Sequence, residues 1–167
     1  MALLIGNLCS LLAMVTDGIS SSRKTAKDML LMQCVSQLLY GICTIVLKGY
    51  SGAVQNAVSI LRNLIAIRGK ESKAVEWGLA ALAVILGFCF NNLGVLGWLP
   101  IVANLEYTLA VFRFKENERA LKIAFLINTA LYVVFNVVIL NFVGAVSSVA
   151  VLIVTAMFLI KSRKRDA

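Results

Sequence analysis

Seven long apolar runs, separated by short polar breaks, constrain the fold of this chain more than any other feature. Most are close to the roughly 20 residues that a helix needs to cross the hydrocarbon of a bilayer. The composition is 60% hydrophobic and 14% charged, which leaves too little polar surface to coat a water-soluble globule. The sequence therefore predicts an all-α integral membrane protein with seven transmembrane helices. The runs cover residues 3–16, 29–47, 51–67, 74–90, 93–112, 120–140 and 143–160.

Basic residues orient these runs in the membrane. Fourteen of the sixteen Lys and Arg residues fall in four clusters, at every second connection and at the C-terminus. Positive charge marks cytoplasmic loops, so the pattern predicts that the N-terminus lies outside and the C-terminus inside. Clusters at helix ends are also typical contacts for anionic membrane lipids, and we expect no nucleic-acid binding. The clusters are 23–27, 68–73, 113–122 and 161–165.

An internal repeat is suggested by a match between two halves of the chain. Gly52-Ala53-Val54 follows a short break, and Gly144-Ala145-Val146 follows another break 92 residues later. An odd number of spans with this offset predicts two parallel three-helix bundles joined by one linking helix. The corresponding domains are 1–70, 71–92 and 93–167. Transporters are often built from such repeats, with the substrate site at their interface.

Polar side chains form ladders on helices from both halves. Residues spaced by three or four positions share one face of a helix, and a polar atom in hydrocarbon needs a partner or water. The ladders either join helices by hydrogen bonds or line a substrate cavity. The candidate binding residues in these ladders are Tyr40, Asn56, Ser59, Asn63, Asn128, Tyr132 and Asn136, with Ser36 and Thr44 beside Tyr40.

Two ionisable residues, Arg62 and Glu106, are expected at matching depths inside the membrane. An unpaired charge there is costly, so either the two form an ion pair, with Asp17 competing for Arg62, or Arg62 extends to the cytoplasmic surface. Alternatively, Arg62 contacts an anionic substrate and Glu106 is a proton-coupling site. Pro100, the only proline, is expected in the upper half of the fifth helix, where it would permit a hinge.

A family resemblance accompanies these patterns. The segments Ser21-Ser22-Arg23-Lys24, Gly49-Tyr50-Ser51-Gly52-Ala53, Arg62-Asn63-Leu64, Leu99-Pro100 and Phe112-Arg113 resemble YgjV-type bacterial inner-membrane proteins. The architecture is also similar to that of SWEET and PQ-loop transporters. This resemblance implies location in the bacterial cytoplasmic membrane and transport. It also implies substrate contacts by Asn56 or Asn63, whereas Ser148 and Thr155 stand at the second-half positions. The PQ dipeptide is missing, because Ile101 follows Pro100.

The leading functional prediction is a transporter or facilitator for a small polar or anionic solute, working by alternating access. The rival hypothesis is a non-transporting accessory or receptor protein that binds a lipid, peptide or partner subunit. An intramembrane enzyme is not expected, because the chain has no histidine and the runs hold no paired carboxylates or metal-ligand cluster. No cofactor or metal is expected. One chain holds both halves, so a monomer can form a complete path, and a homo-oligomer is compatible with this.

Overall fold

The computed structural model describes residues 1–70, 72–114 and 116–163. It contains seven α-helices and, in these ranges, no β-strand. A 3₁₀ turn, Gly94–Gly97, leads directly into α5. The helices are α1 Ala2–Ser21, α2 Ala26–Val46, α3 Tyr50–Ile67, α4 Lys73–Cys89, α5 Trp98–Phe114, α6 Glu118–Val138 and α7 Phe142–Arg163.

Six of the helices form a closed ring. Consecutive helices pack together in the rows α1-α2-α3 and α5-α6-α7. Contacts between α1 and α7 and between α3 and α5 join the two rows, while α4 packs against both α3 and α5. Gly87 makes that last packing close, because a Cβ atom there would lie 2.6 Å from Ile101 Cγ1 and from Gln55 Nε2. The space between the rows is therefore enclosed by helices.

Five segments in the described part of the chain are long and apolar enough to cross a membrane. These are α1, α2, the 3₁₀ turn with α5, α6, and most of α7. Seven spans were predicted, so length and composition support five of them. Helix α4 has only 17 residues, and α3 buries a set of polar side chains against its neighbours, Gln55, Asn56, Ser59, Arg62 and Asn63.

Two helix boundaries differ from the sequence prediction. The first apolar run ends at residue 16, but α1 continues through Asp17 to Ser21. The fifth run begins at residue 93, but the α-helix begins at Trp98. Pro100 therefore lies in the first turn of α5, at the start of the half in which it was predicted, where its missing N–H has little effect on the helix. Its role as a hinge stays a prediction.

The turns after α2 and α6 have the same geometry, 92 residues apart. Lys48 and Leu140 both adopt left-handed backbone conformations, with φ of 60° and 58°. The next N–H in each turn donates to a carbonyl five residues back, Gly49 to Thr44 at 2.7 Å and Asn141 to Asn136 at 2.8 Å. Both halves therefore reverse direction in the same way.

The helix starts that precede these turns also correspond. Thr25 accepts a hydrogen bond from the Asp28 N–H at 3.1 Å and caps α2. Asn117, 92 residues further on, accepts from the Ala120 N–H at 3.0 Å and caps α6. Such caps satisfy N–H groups that have no acceptor within the helix. The same local signals thus set both ends of α2 and of α6.

We expect Gly87→Ala to lower the thermal unfolding midpoint of the purified protein, because the added methyl group overlaps Ile101 and Gln55. Overpacking of this kind costs about 1–3 kcal/mol. The matched control is Gly78→Ala on the same helix, where a Cβ atom meets nothing within 4 Å. Equal midpoints for the two variants would contradict the close packing of α4.

Candidate functional site

A small cavity, here called the central cavity, lies between the two rows of helices. Its volume is about 20 Å³, which is room for about one water molecule. Helices α1, α2, α3, α6 and α7 all contribute to it. Its lining consists of Asp17, Gln37, Tyr40, Thr44, Asn56, Phe125, Asn128, Thr129, Tyr132, Asn136 and Ser148.

Several polar atoms of the lining have no hydrogen-bond partner. Within the described ranges, seven buried side-chain oxygen or nitrogen atoms are unpartnered, and four of them belong to lining residues. An unsatisfied buried polar group costs about 1–3 kcal/mol, so a native protein rarely keeps one without a reason. Water or a polar ligand in the cavity would give all four a partner. These atoms are Asp17 Oδ1, Gln37 Oε1, Asn56 Nδ2 and Tyr132 OH.

Other lining residues are held in place by the surrounding helices. Asn128 Nδ2 donates to the Ala103 carbonyl at 2.8 Å, which ties α6 to α5. Asn136 Nδ2 donates to Ser148 Oγ at 3.3 Å, which ties α6 to α7. The lining thus combines fixed amides with unpartnered groups, as expected of a preorganised binding site.

A second polar cluster, here called the Arg62 network, joins α3 to α5. Arg62 is only 1% exposed. Its Nη1 donates to Asn104 Oδ1 at 2.7 Å and to Thr108 Oγ1 at 3.3 Å, and its Nε donates to Asn63 Oδ1 at 3.0 Å. Asn104 Oδ1 also accepts from Ser59 Oγ at 2.8 Å. The Asn104 amide oxygen therefore links Arg62 to Ser59, while Asn63 and Thr108 accept further hydrogen bonds from the guanidinium group.

The Arg62 network extends to α2 and α4. Asn104 Nδ2 donates to Gln55 Oε1 at 2.7 Å, and Gln55 Nε2 donates to the Ala83 carbonyl of α4 at 2.8 Å. The Arg62 guanidinium also lies 4.7 Å from the ring centre of Tyr107, a cation–π distance. The Tyr107 hydroxyl pairs with the Gln33 amide of α2 at 2.8 Å. Four helices thus meet around one buried cation.

Five of the eight predicted binding residues meet at the central cavity: Tyr40, Asn56, Asn128, Tyr132 and Asn136. The other three, Ser59, Arg62 and Asn63, do not line it and belong to the Arg62 network. Helical geometry explains the division. Ser59 and Arg62 are rotated from Asn56 toward α5, whereas Asn63 shares its face but lies about 10 Å further along α3.

The two ionisable residues do not form the expected ion pair. No salt bridge joins Arg62 and Glu106 within 4.0 Å in the described chain, although Glu106 is close enough to interact electrostatically with Arg62. Arg62 is too buried to extend to the surface. Glu106 is half-buried, its Oε2 atom has no partner among the described residues, and it lies outside the central cavity.

Sequence reasoning missed some important residues. Asp17 lines the cavity, but it fell beyond the predicted end of the first run and was considered only as a partner of Arg62. Asn104 and Thr108 anchor Arg62, and their spacing of four positions was an available signal. Gln55, adjacent to Asn56, points to α4 and α5 instead of the cavity.

An apolar layer closes the central cavity at the end where the basic clusters meet. A larger pocket of about 480 Å³ opens there and is lined by residues including Lys24, Leu30 and Ala66. Leu30 and Ala66 also belong to a buried apolar cluster, and so does Phe125, which lines the central cavity. The cluster therefore lies between the two spaces.

The opposite end is closed by an aromatic ring and by hydrogen bonds. Phe135 is fully buried and packs so closely on α3 that a Cβ atom on Gly52 would lie 2.6 Å from it. Asn141 accepts from Ser10 Oγ at 3.0 Å and donates to Asn136 Oδ1 at 3.0 Å. These contacts join α1, the start of α7, and α6. Close packing therefore narrows the space between the helices at both ends.

A family model described as a bacterial inner membrane protein, Imp-YgjV, matches residues 4–166. The match spans nearly the whole chain, so the protein belongs to this family and resides in the bacterial inner membrane. Comparison with curated proteins and with solved structures gave no match. The likeness to SWEET transporters therefore stays a prediction.

We expect Asn104→Leu to destabilise the protein strongly, since it removes the acceptor shared by Arg62 and Ser59. Hydrogen bonds to charged groups contribute about 1.5–3 kcal/mol, so the loss should be at least ~2 kcal/mol. Asn7→Leu is the control, because the Asn7 amide bonds only within α1, to the Leu3 carbonyl. Thermal unfolding in detergent measures both, and an unchanged midpoint for Asn104→Leu would contradict the anchoring role.

Proposed function

We propose that this inner-membrane protein transports a small polar or anionic solute by alternating access between residues 1–70 and 93–167. The observation that carries the proposal is the central cavity with its four unpartnered polar atoms. Polar groups inside a membrane protein that face a shared cavity typically mark a substrate path. The cavity lies between the two rows of helices, where repeat-built transporters place their sites.

The proposal includes an internal repeat, with two parallel three-helix bundles and a linking helix within residues 71–92. Support comes from the turns at Lys48 and Leu140 and from the caps at Thr25 and Asn117, each pair 92 residues apart. It also comes from the packing, in which each row is consecutive and α4 lies at the α3–α5 contact. The chemistry of the halves differs, since Val154 stands where a repeat would place a second arginine opposite Arg62.

In this mechanism the structure represents an occluded state. The apolar cluster around Leu30 and Phe125 acts as one gate, and Phe135 with the Asn141 hydrogen bonds acts as the other. Opening either gate enlarges the cavity to solute size. Arg62 lies behind the lining, and its positive charge would favour an anionic or strongly polar solute at that wall.

Reconstitution into proteoliposomes with a panel of polar metabolites tests transport. For any transported solute, we expect Asn56→Leu to reduce uptake by roughly tenfold or more, because a lost hydrogen bond costs about 1–3 kcal/mol. The control is Leu61→Ile on the same helix, whose side chain is exposed at the bundle surface. Absence of uptake for every solute would refute transport.

A second candidate function is favoured by the small size of the cavity. A space of about 20 Å³ does not hold a metabolite, as expected of a non-transporting protein that binds a lipid, peptide or partner subunit. Copurified lipid, peptide or a second subunit, combined with no uptake, would support this candidate. Uptake that persists when cysteine cross-links join α3 to α6 would instead contradict alternating access, while still supporting transport.

We also expect the N-terminus outside and the C-terminus inside. In a background lacking the four native cysteines, Lys48→Cys should react with a membrane-impermeant thiol reagent on intact spheroplasts. Lys24→Cys should react only after permeabilisation, since it lies in a basic cluster. The reverse pattern would contradict this orientation.

A further inference from the structure

Asp17 is a buried carboxylate without a cationic partner. Its side chain lines the central cavity and is 5% exposed. No Lys or Arg in the described chain lies within salt-bridge distance of it, and its Oδ1 atom has no hydrogen-bond partner there. An ionised carboxylate in this position is costly inside a membrane. It needs a proton or another cation to neutralise it.

The groups around Asp17 are neutral oxygen donors. Helix α1 packs on α2 and α7. From α2, Ser36 and Tyr40 lie beside the carboxylate, and from α7, Ser148 lines the same cavity. The titratable groups near Asp17 on the surrounding helices are the phenols of Tyr40 and of Tyr107 on α5. No salt bridge joins Asp17 to Arg62 among the described residues.

The size and chemistry of the central cavity suit a small cation. About 20 Å³ accommodates one water-sized particle, and hard cations are bound by oxygen ligands such as carboxylates and amide carbonyls. We propose that Asp17, with Tyr40 and the amide oxygens of the cavity wall, binds a monovalent cation, either a proton or Na⁺. Its role as the coupling ion rests on the proposed transport function, whereas the binding itself does not.

This inference moves the coupling site from Glu106 to Asp17. Glu106 lies outside the cavity lining and is close enough to Arg62 for its charge to be partly balanced. Asp17 lines the cavity, and no Lys or Arg of the described chain lies within salt-bridge distance to balance its charge. It is also enclosed between both gates, so a cation bound there shares the space that a solute enters. Opening of one gate would then expose cation and solute to the same side.

The test compares wild-type protein with Asp17→Asn and, as a matched control, Glu106→Gln. Thermal unfolding midpoints are measured in nanodiscs against Na⁺ concentration, at constant ionic strength with choline, and against pH. A cation that binds only the folded state raises the midpoint with its concentration. We expect wild type and Glu106→Gln to be stabilised by Na⁺ or by acid, and Asp17→Asn to lose that response.

The Na⁺ titration and the pH titration together distinguish the two candidate cations. Stabilisation by Na⁺ at fixed pH identifies Na⁺, whereas stabilisation on acidification without any Na⁺ effect identifies a proton. An equal response in Asp17→Asn, loss of the response in Glu106→Gln, or no response in wild type would overturn the inference.

A second measurement uses wild-type protein and does not depend on a folded variant. Dicyclohexylcarbodiimide reacts with protonated carboxyl groups in apolar surroundings, and mass spectrometry locates the adduct. We expect modification at Asp17 that slows with Na⁺ or at alkaline pH. Modification of Glu106 alone would overturn the inference. Cation-dependent stabilisation without uptake in proteoliposomes would support the cation site and refute transport. Uptake without any cation effect would support transport and refute the cation site.

Discussion

The contact between Arg62 and Asn104, at 2.7 Å, is the interaction on which the rest of the structure depends. A guanidinium group in the membrane interior needs acceptors for its N–H groups, and here amide and hydroxyl oxygens accept from Nε and Nη1 of Arg62. Since Asn104 also binds Ser59 and Gln55, the cation fixes α3 against α5. The α3–α5 contact joins the two rows of helices and so completes the ring. The central cavity lies inside this ring, where Asn56 of α3 lines it.

The two closures of the cavity differ in physical character. At the basic end, aliphatic and aromatic side chains such as Leu30 and Phe125 exclude water by packing. At the opposite end, Asn141 links Ser10 to Asn136 through directional hydrogen bonds. Separating apolar surfaces inside a bilayer costs little when lipid or solute replaces the contact. Breaking several buried hydrogen bonds together requires a polar replacement, so the two proposed gates would open under different conditions.

Hydropathy was sufficient to predict the seven helices, because apolar length and polar breaks are local properties of the chain. Helical periodicity places Tyr40, Asn56, Asn128, Tyr132 and Asn136 on inward faces, and the structure brings these five residues to the central cavity. Periodicity could not tell which neighbour each face meets. Ser59 and Arg62 were therefore grouped with the cavity residues, although they point to α5. Asp17 was considered only as a competitor for Arg62, because its place in the cavity depends on tertiary packing.

The left-handed turns at Lys48 and Leu140 have a mechanical consequence. At about 1.5 Å per residue, the 18 residues of α3 reach roughly 27 Å from the turn. A rotation of about 10° at the turn would displace the far end of the helix by about 5 Å, and the turn itself would hardly move. Under the proposed alternating access, each helical hairpin would therefore pivot at its tight turn. The largest displacement would fall at the basic end, beside the apolar cluster.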